Sequence, residues 1–112
     1  MSGDSLQFLQ RELGCKNTYE LLAFSLPILQ ERKNALFESL QKQDWSRAAN
    51  IAHQTCGSVR MYGSTQLETL LRVVSQRNVS MASDYSFQRN LENEMNAMLA
   101  HIQRWLEEQR TD

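Results

Sequence analysis

The chain has 112 residues, 41% of them hydrophobic and 22% charged, with 12 Lys+Arg against 13 Asp+Glu. That size suits one domain, spanning residues 1–112, around one core, and the hydrophobic fraction excludes a disordered chain. A net charge of −1 argues against nucleic acid as a partner, because such binders carry a basic face.

Only 4 Gly and 1 Pro punctuate the sequence. An all-β domain needs turn residues about every 8–12 positions. Leu, Gln, Glu, Arg, Ala and Met are abundant instead, and all are good helix formers. The chain is therefore expected to be all-α.

A short first helix is expected from Asp4 to Leu13, with Asp4 as its cap and Gly14 as its stop. Leu6, Leu9 and Leu13 fall on one side of it. A second helix is expected from Asn17 to about Lys42, since Asn17-Thr-Tyr-Glu20 has the form of a capping box. Leu22, Leu26, Leu29, Leu36 and Leu40 make its main apolar stripe. Phe24, Ile28 and Ala35 make a weaker second stripe. Pro27 lies inside this pattern and predicts a kink near Ala23 to Leu26, because its ring clashes with the preceding turn.

Asp44 is a fitting N-cap for a third helix from Trp45 to Tyr62. At roughly 100° per residue this helix divides into two faces. Trp45, Ala48, Ile51, Ala52, Thr55, Val59 and Tyr62 fall on the apolar side. Ser46, Ala49, Asn50, His53, Cys56, Gly57 and Arg60 fall around His53. Thr65-Gln-Leu-Glu68 predicts a capped fourth helix to about Gln76, with Leu67, Leu70, Leu71 and Val74 as its buried stripe. Arg77 to Ser83 reads as a loop. A last helix is expected from Asp84 to Gln109, with Phe87, Leu91, Met95, Met98, Leu99, Ile102 and Leu106 inward. Four long amphipathic helices with short joints predict an antiparallel four-helix bundle with a short additional N-terminal helix.

No stretch approaches the roughly 18 apolar residues of a membrane span, and the polar N-terminus lacks the apolar region of a signal peptide. Cys15 and Cys56 cannot make a disulfide scaffold and read as cytosolic thiols, which predicts a cytoplasmic location. Together with His53 and His101 they supply the residue types of a zinc site, but from separate helices and without a Cys-x-x-Cys knuckle, so no metal is expected. No Gly-rich phosphate loop, Ser–His–acid signature or paired carboxylate stands out.

The informative segment is Ala52-His-Gln-Thr-Cys-Gly-Ser-Val-Arg-Met-Tyr-Gly63. A Gly in mid-helix costs about 1 kcal/mol relative to Ala. Ala49 and Gly57, one turn either side of His53, leave the imidazole unshielded. A neutral imidazole has one free nitrogen lone pair, so an exposed histidine on a rigid helix suits nucleophilic attack on a phosphoryl group. His101, beside Met98 and Trp105 on its helix, has no such context and is expected to be solvated or half-buried.

Here the sequence resembles the histidine-containing phosphotransfer domains of bacterial multistep phosphorelays. The family pattern is His-x-Leu-Lys-Gly-Ser-Ala, then an aromatic and a Gly, then a capped helix with Leu at helical spacing. The corresponding residues are His53-Gln-Thr-Cys-Gly-Ser-Val59, then Tyr62-Gly63, then Leu67, Leu70 and Leu71. Pro27 early in a long helix and Asp44-Trp45 before the histidine helix also fit. The resemblance spans roughly Asn17 to Val74. Thr55 and Cys56 depart from it. The missing Lys removes a charge-assisted phosphate contact, and Arg60 on the same face is the expected substitute.

The resemblance implies a phosphocarrier rather than an enzyme with its own activity. His53 would accept a phosphoryl group from a receiver-domain aspartate and pass it to a response regulator. Receiver domains of a hybrid kinase and of that regulator would be the partners. Ala49, Asn50, Cys56, Gly57 and Arg60 would form the docking surface, with Phe24 and Ile28 as an apolar rim. The domain would carry no cofactor, Mg²⁺ belonging to the receiver, and would make no direct membrane contact. Met1-Ser2-Gly3 and the helical end near Asp112 fit the C-terminal domain of a hybrid sensor kinase, whose parent chain would sit in the inner membrane with this domain on the cytoplasmic side. Two rivals keep the helical fold without the chemistry: an unphosphorylated module that binds receiver or kinase domains, and an adaptor such as a secretion chaperone.

Overall fold

The structure, a computed structural model, describes residues 2–110, with side chains from Leu6 onward. Six helices follow one another: α1 (Ser2–Leu13), α2 (Cys15–Gln41), α3 (Trp45–Tyr62), α4 (Thr65–Ser75), α5 (Val79–Ala82) and α6 (Tyr85–Arg110). No strand occurs among the described residues, so the chain is all-α as expected. The long extent of 46 Å follows from α2 and α6. A 27-residue helix at about 1.5 Å per residue is roughly 40 Å long.

The junctions correct the expected caps. Asp4 is inside α1 rather than before it. Gly14 at φ 82 stops α1 and α2 starts immediately at Cys15. Asn17 caps no helix start; its amide donates to the Leu13 carbonyl at 2.9 Å. The Thr18 hydroxyl bridges the Leu9 and Gly14 carbonyls. Asn17 thus satisfies an orphan carbonyl at the end of α1, a competing use for a capping residue type, and Thr18 ties the start of α2 back to α1. The α2 helix runs unbroken through Pro27. It ends at Gln41 with Lys42 as its C-cap; Gln43 then takes φ 59 and the Asp44 N–H returns to the Ser39 carbonyl.

Asp44 caps α3 as its sequence suggests, accepting from the Arg47 N–H. The cap of α4 is Ser64, one residue before Thr65, and accepts from the Leu67 N–H at 3.1 Å. The expected loop at 77–83 contains the turn-length α5, capped by Asn78. Asp84 caps α6 through the Phe87 N–H, and α6 runs to Arg110. The expected ending near Asp112 lies outside the described residues.

Helix α3 packs against α2 and α4, and α6 also packs against α2 and α4. Leu22, Leu29, Leu36, Val59, Leu67, Leu71, Leu91, Met95 and Ile102 are almost fully buried between them. Burying each such side chain contributes about 1.5–3 kcal/mol of transfer free energy. Leu6 and Leu9 add α1 to this core, while Leu13 is exposed. All seven residues of the expected α6 stripe are buried. On α2 the main stripe is buried apart from half-buried Leu26, and Leu70 is the half-buried member on α4.

Candidate functional site

Helix α3 carries the candidate site on a rigid, capped frame. Its core face holds Ala48, Ala52, Thr55, Val59 and Tyr62, all buried, with Trp45 and Ile51 half-buried. Thr55 satisfies its buried hydroxyl by donating to the Ile51 carbonyl at 2.7 Å. That packing turns His53 outward, and His53, Asn50, Gly57 and Arg60 are exposed.

A Cβ added at Gly57 would meet nothing within 4 Å. Nothing inside the chain requires a glycine there, and the helix bears its cost of about 1 kcal/mol without an internal return. Gly63, at the end of α3, is the opposite case: a Cβ there would meet Val59 Cγ1 at 2.8 Å and Met98 Sδ at 3.1 Å.

Two residues expected on the open face are covered. Ala49 is 5% exposed and Cys56 is 8% exposed. Helix α4 returns alongside α3 and covers Cys56. The Cys56 thiol points at the Glu68 carbonyl, 3.9 Å away. Burial, and then the Glu68 carboxylate, push its pKa up, so Cys56 is a protonated, inward thiol rather than a docking residue.

The same approach of α4 supplies residues that the helical wheel of α3 does not contain. His53, Cys56, Gly57 and Arg60 of α3, with Arg72 and Ser75 of α4, line a groove of about 290 Å³. Beneath its charged rim lies Glu68. Its Oε2 accepts from Arg60 Nε at 2.7 Å and from Arg72 Nη2 at 2.9 Å. The Arg60 hydrogen bond is the main cause that lowers the Glu68 pKa. The Glu68–Arg72 pair is legible as an i, i+4 pair on α4. That it lies beside His53 depends on how α4 sits against α3.

On the other flank of α3 the contacts are with α2. Arg32 Nη1 donates to Ser58 Oγ at 3.1 Å, and the Ser25 and Tyr62 hydroxyls lie 3.4 Å apart. Phe24 is 70% exposed and Ile28 is 36% exposed, so these two members of the second stripe of α2 lie open to solvent, while Ala35 is half-buried. Met61 of α3 is exposed as well.

His101 is half-buried, and its Nε2 has no hydrogen-bond partner. Cys15 is exposed near the other end of the chain, where it contacts Gln109. Among the described residues no group of three or more His, Cys, Asp or Glu is placed to hold a metal ion. Among them, too, no helix is long and apolar enough to cross a membrane. No protein-family model, curated protein or solved structure matches this chain.

Proposed function

We propose that this chain is a phosphocarrier of the histidine-containing phosphotransfer type, with α2, α3, α4 and α6 as an antiparallel four-helix bundle and α1 as an additional helix. The observation that carries the reading is the exposed His53 in mid-helix, one turn from a glycine that no internal contact explains. A glycine there leaves room for a second protein's surface to close over the imidazole. The neutral imidazole attacks the phosphorus of a receiver's aspartyl phosphate through Nε2. The bond from phosphorus to the carboxylate oxygen breaks, the aspartate leaves with that electron pair, and a phosphoramidate remains on His53. A second receiver aspartate reverses these steps. Mg²⁺, where the transfer uses it, belongs to the receiver. Phe24, Ile28 and Met61 give the docking receiver an apolar rim beside the α3 ridge.

The test is incubation with phosphorylated receiver domains and Mg²⁺. The wild-type chain gains an acid-labile, base-stable phosphate and His53→Gln gains none. A wild-type chain that takes no label from any receiver would falsify the reading. One observation favours the docking-only alternative. The Lys of the family pattern is replaced here by a buried thiol, and the nearby Arg60 is engaged by Glu68. On that alternative the chain binds receivers but stays unlabelled.

A further inference from the structure

Resting on the phosphocarrier reading, we infer that Arg72 of α4 is the phosphate-facing cation of the His53 site, held in place by Glu68 and backed by Arg60. The register of α4 against α3 leads to Arg72. Near the turn, Arg60 bonds Glu68, and one helical turn deeper the Cys56 thiol faces the Glu68 carbonyl. At the far end Arg77 Nη2 reaches Ser46 Oγ at 3.1 Å. Positions further along α4 therefore lie level with positions earlier in α3. Arg72, one turn beyond Glu68, comes level with the His53 turn, and both line the same groove. Arg60 is seven residues beyond His53 on α3, or about 10 Å along the axis.

The charge arrangement fits an anion. Two guanidiniums share one carboxylate oxygen, so the cluster keeps a net positive charge. The Glu68 side chain is 19% exposed, whereas Arg60 and Arg72 are 63% and 54% exposed. The carboxylate is thus less exposed than the two cations it holds, and each guanidinium keeps N–H donors beyond the one bonded to Glu68. Each guanidinium has five donors, so Arg72 can keep Glu68 and still offer a pair of donors to phosphoryl oxygens. The titratable and charged groups at this groove are Cys56 and Arg60 from α3 and Glu68 and Arg72 from α4; on the opposite flank of α3, outside the groove, Arg32 of α2 donates to the Gln54 carbonyl and the Ser58 hydroxyl. Glu68 opposes the phosphoryl charge and the two arginines favour it.

Phosphoramidate, a small-molecule donor, tests this without a receiver. Its P–N bond breaks, ammonia leaves, and the new P–N bond forms at His53 Nε2. The readout is the ³¹P titration of the phosphohistidine, in which the phosphoryl monoanion becomes the dianion. A cation beside the group favours the dianion and lowers the midpoint. Arg72→Ala is expected to raise the midpoint by about half a pH unit. Arg72→Lys recovers part of that shift, Arg60→Ala gives a smaller rise, and Glu68→Gln moves the midpoint the other way. Arg72 is exposed, so the helical circular dichroism of the variants stays that of the wild type. An Arg72→Ala midpoint equal to wild type, or a larger rise in Arg60→Ala, overturns the assignment. Labelling by phosphoramidate but by no receiver overturns the phosphorelay reading, and the midpoints still decide the role of Arg72. If His53 takes no phosphoryl group from phosphoramidate, both fall.

Discussion

Gly57 and Gly63 lie less than two turns apart on α3, yet the structure treats them oppositely. At Gly63 the Val59 and Met98 side chains come so close that a methyl group has no room. At Gly57 the same methyl group would project into open space. One glycine is explained by packing inside the chain, and the other lies beside the one exposed histidine of α3. The contrast separates a residue type chosen by the core from one whose use lies on the surface. The two flanks of α3 differ as well: on the α4 side Arg60, Glu68 and Arg72 form an ion-pair cluster, and on the α2 side Arg32 bonds Ser58 while Phe24 and Ile28 of α2 are exposed.

The largest expected effect is at the packed glycine. Gly63→Ala should lower stability by about 1–3 kcal/mol, since the added methyl overpacks Val59 and Met98. Guanidinium unfolding measures it, and an unchanged midpoint would show that this close approach relaxes freely. Gly57→Leu should leave the fold intact and slow phosphotransfer roughly tenfold or more by shielding the imidazole, a loss of about 1.4 kcal/mol in transition-state stabilisation. Normal transfer in that variant argues against access at Gly57 as the reason for the glycine.

Gly57→Ala should raise stability by up to about 1 kcal/mol, because alanine is the better helix former and meets no obstruction. A loss of stability there would reveal an internal constraint at Gly57 and erase the contrast with Gly63. A smaller effect belongs to Glu68, whose pKa is lowered mainly by the hydrogen bond from Arg60. A depressed carboxylate stabilises the fold above its unfolded pKa, and that contribution is lost as pH falls through the folded value. Acid titration of stability should therefore be shallower in Glu68→Gln than in wild type below about pH 4.5. Identical acid limbs would mean that the exposed arginines contribute nothing to the fold. The smallest change expected is at Gln43, a non-glycine at φ 59 where α2 ends. Gln43→Gly should add about 0.5 kcal/mol, the relief of left-handed strain being partly offset by a more flexible unfolded chain.

Local pattern determined a large share of this protein. The bounds of α3, the inward stripe of α6 and the outward turn of His53 follow from the helical period and from Asp44 and Asp84 as caps, since a helix end needs a partner within a few residues. Where two nearby residues compete for one cap, as Ser64 and Thr65 do, spacing alone misplaces the start by one. Asn17 is ambiguous for a deeper reason. Its amide serves the end of α1 as readily as the start of α2, and only the abrupt joint at Gly14 decides between them. The tertiary structure alone decided the surroundings of His53. A helical wheel places Ala49 and Cys56 on the face of His53, but it contains no information about which neighbour covers its edges. The docking of α4 covers Cys56 and brings in Glu68, Arg72 and Ser75, and Ala49 is buried as well. Such a register is set by the combined packing of apolar side chains such as Val59, Leu67 and Leu71, long-range contacts that no local spacing specifies.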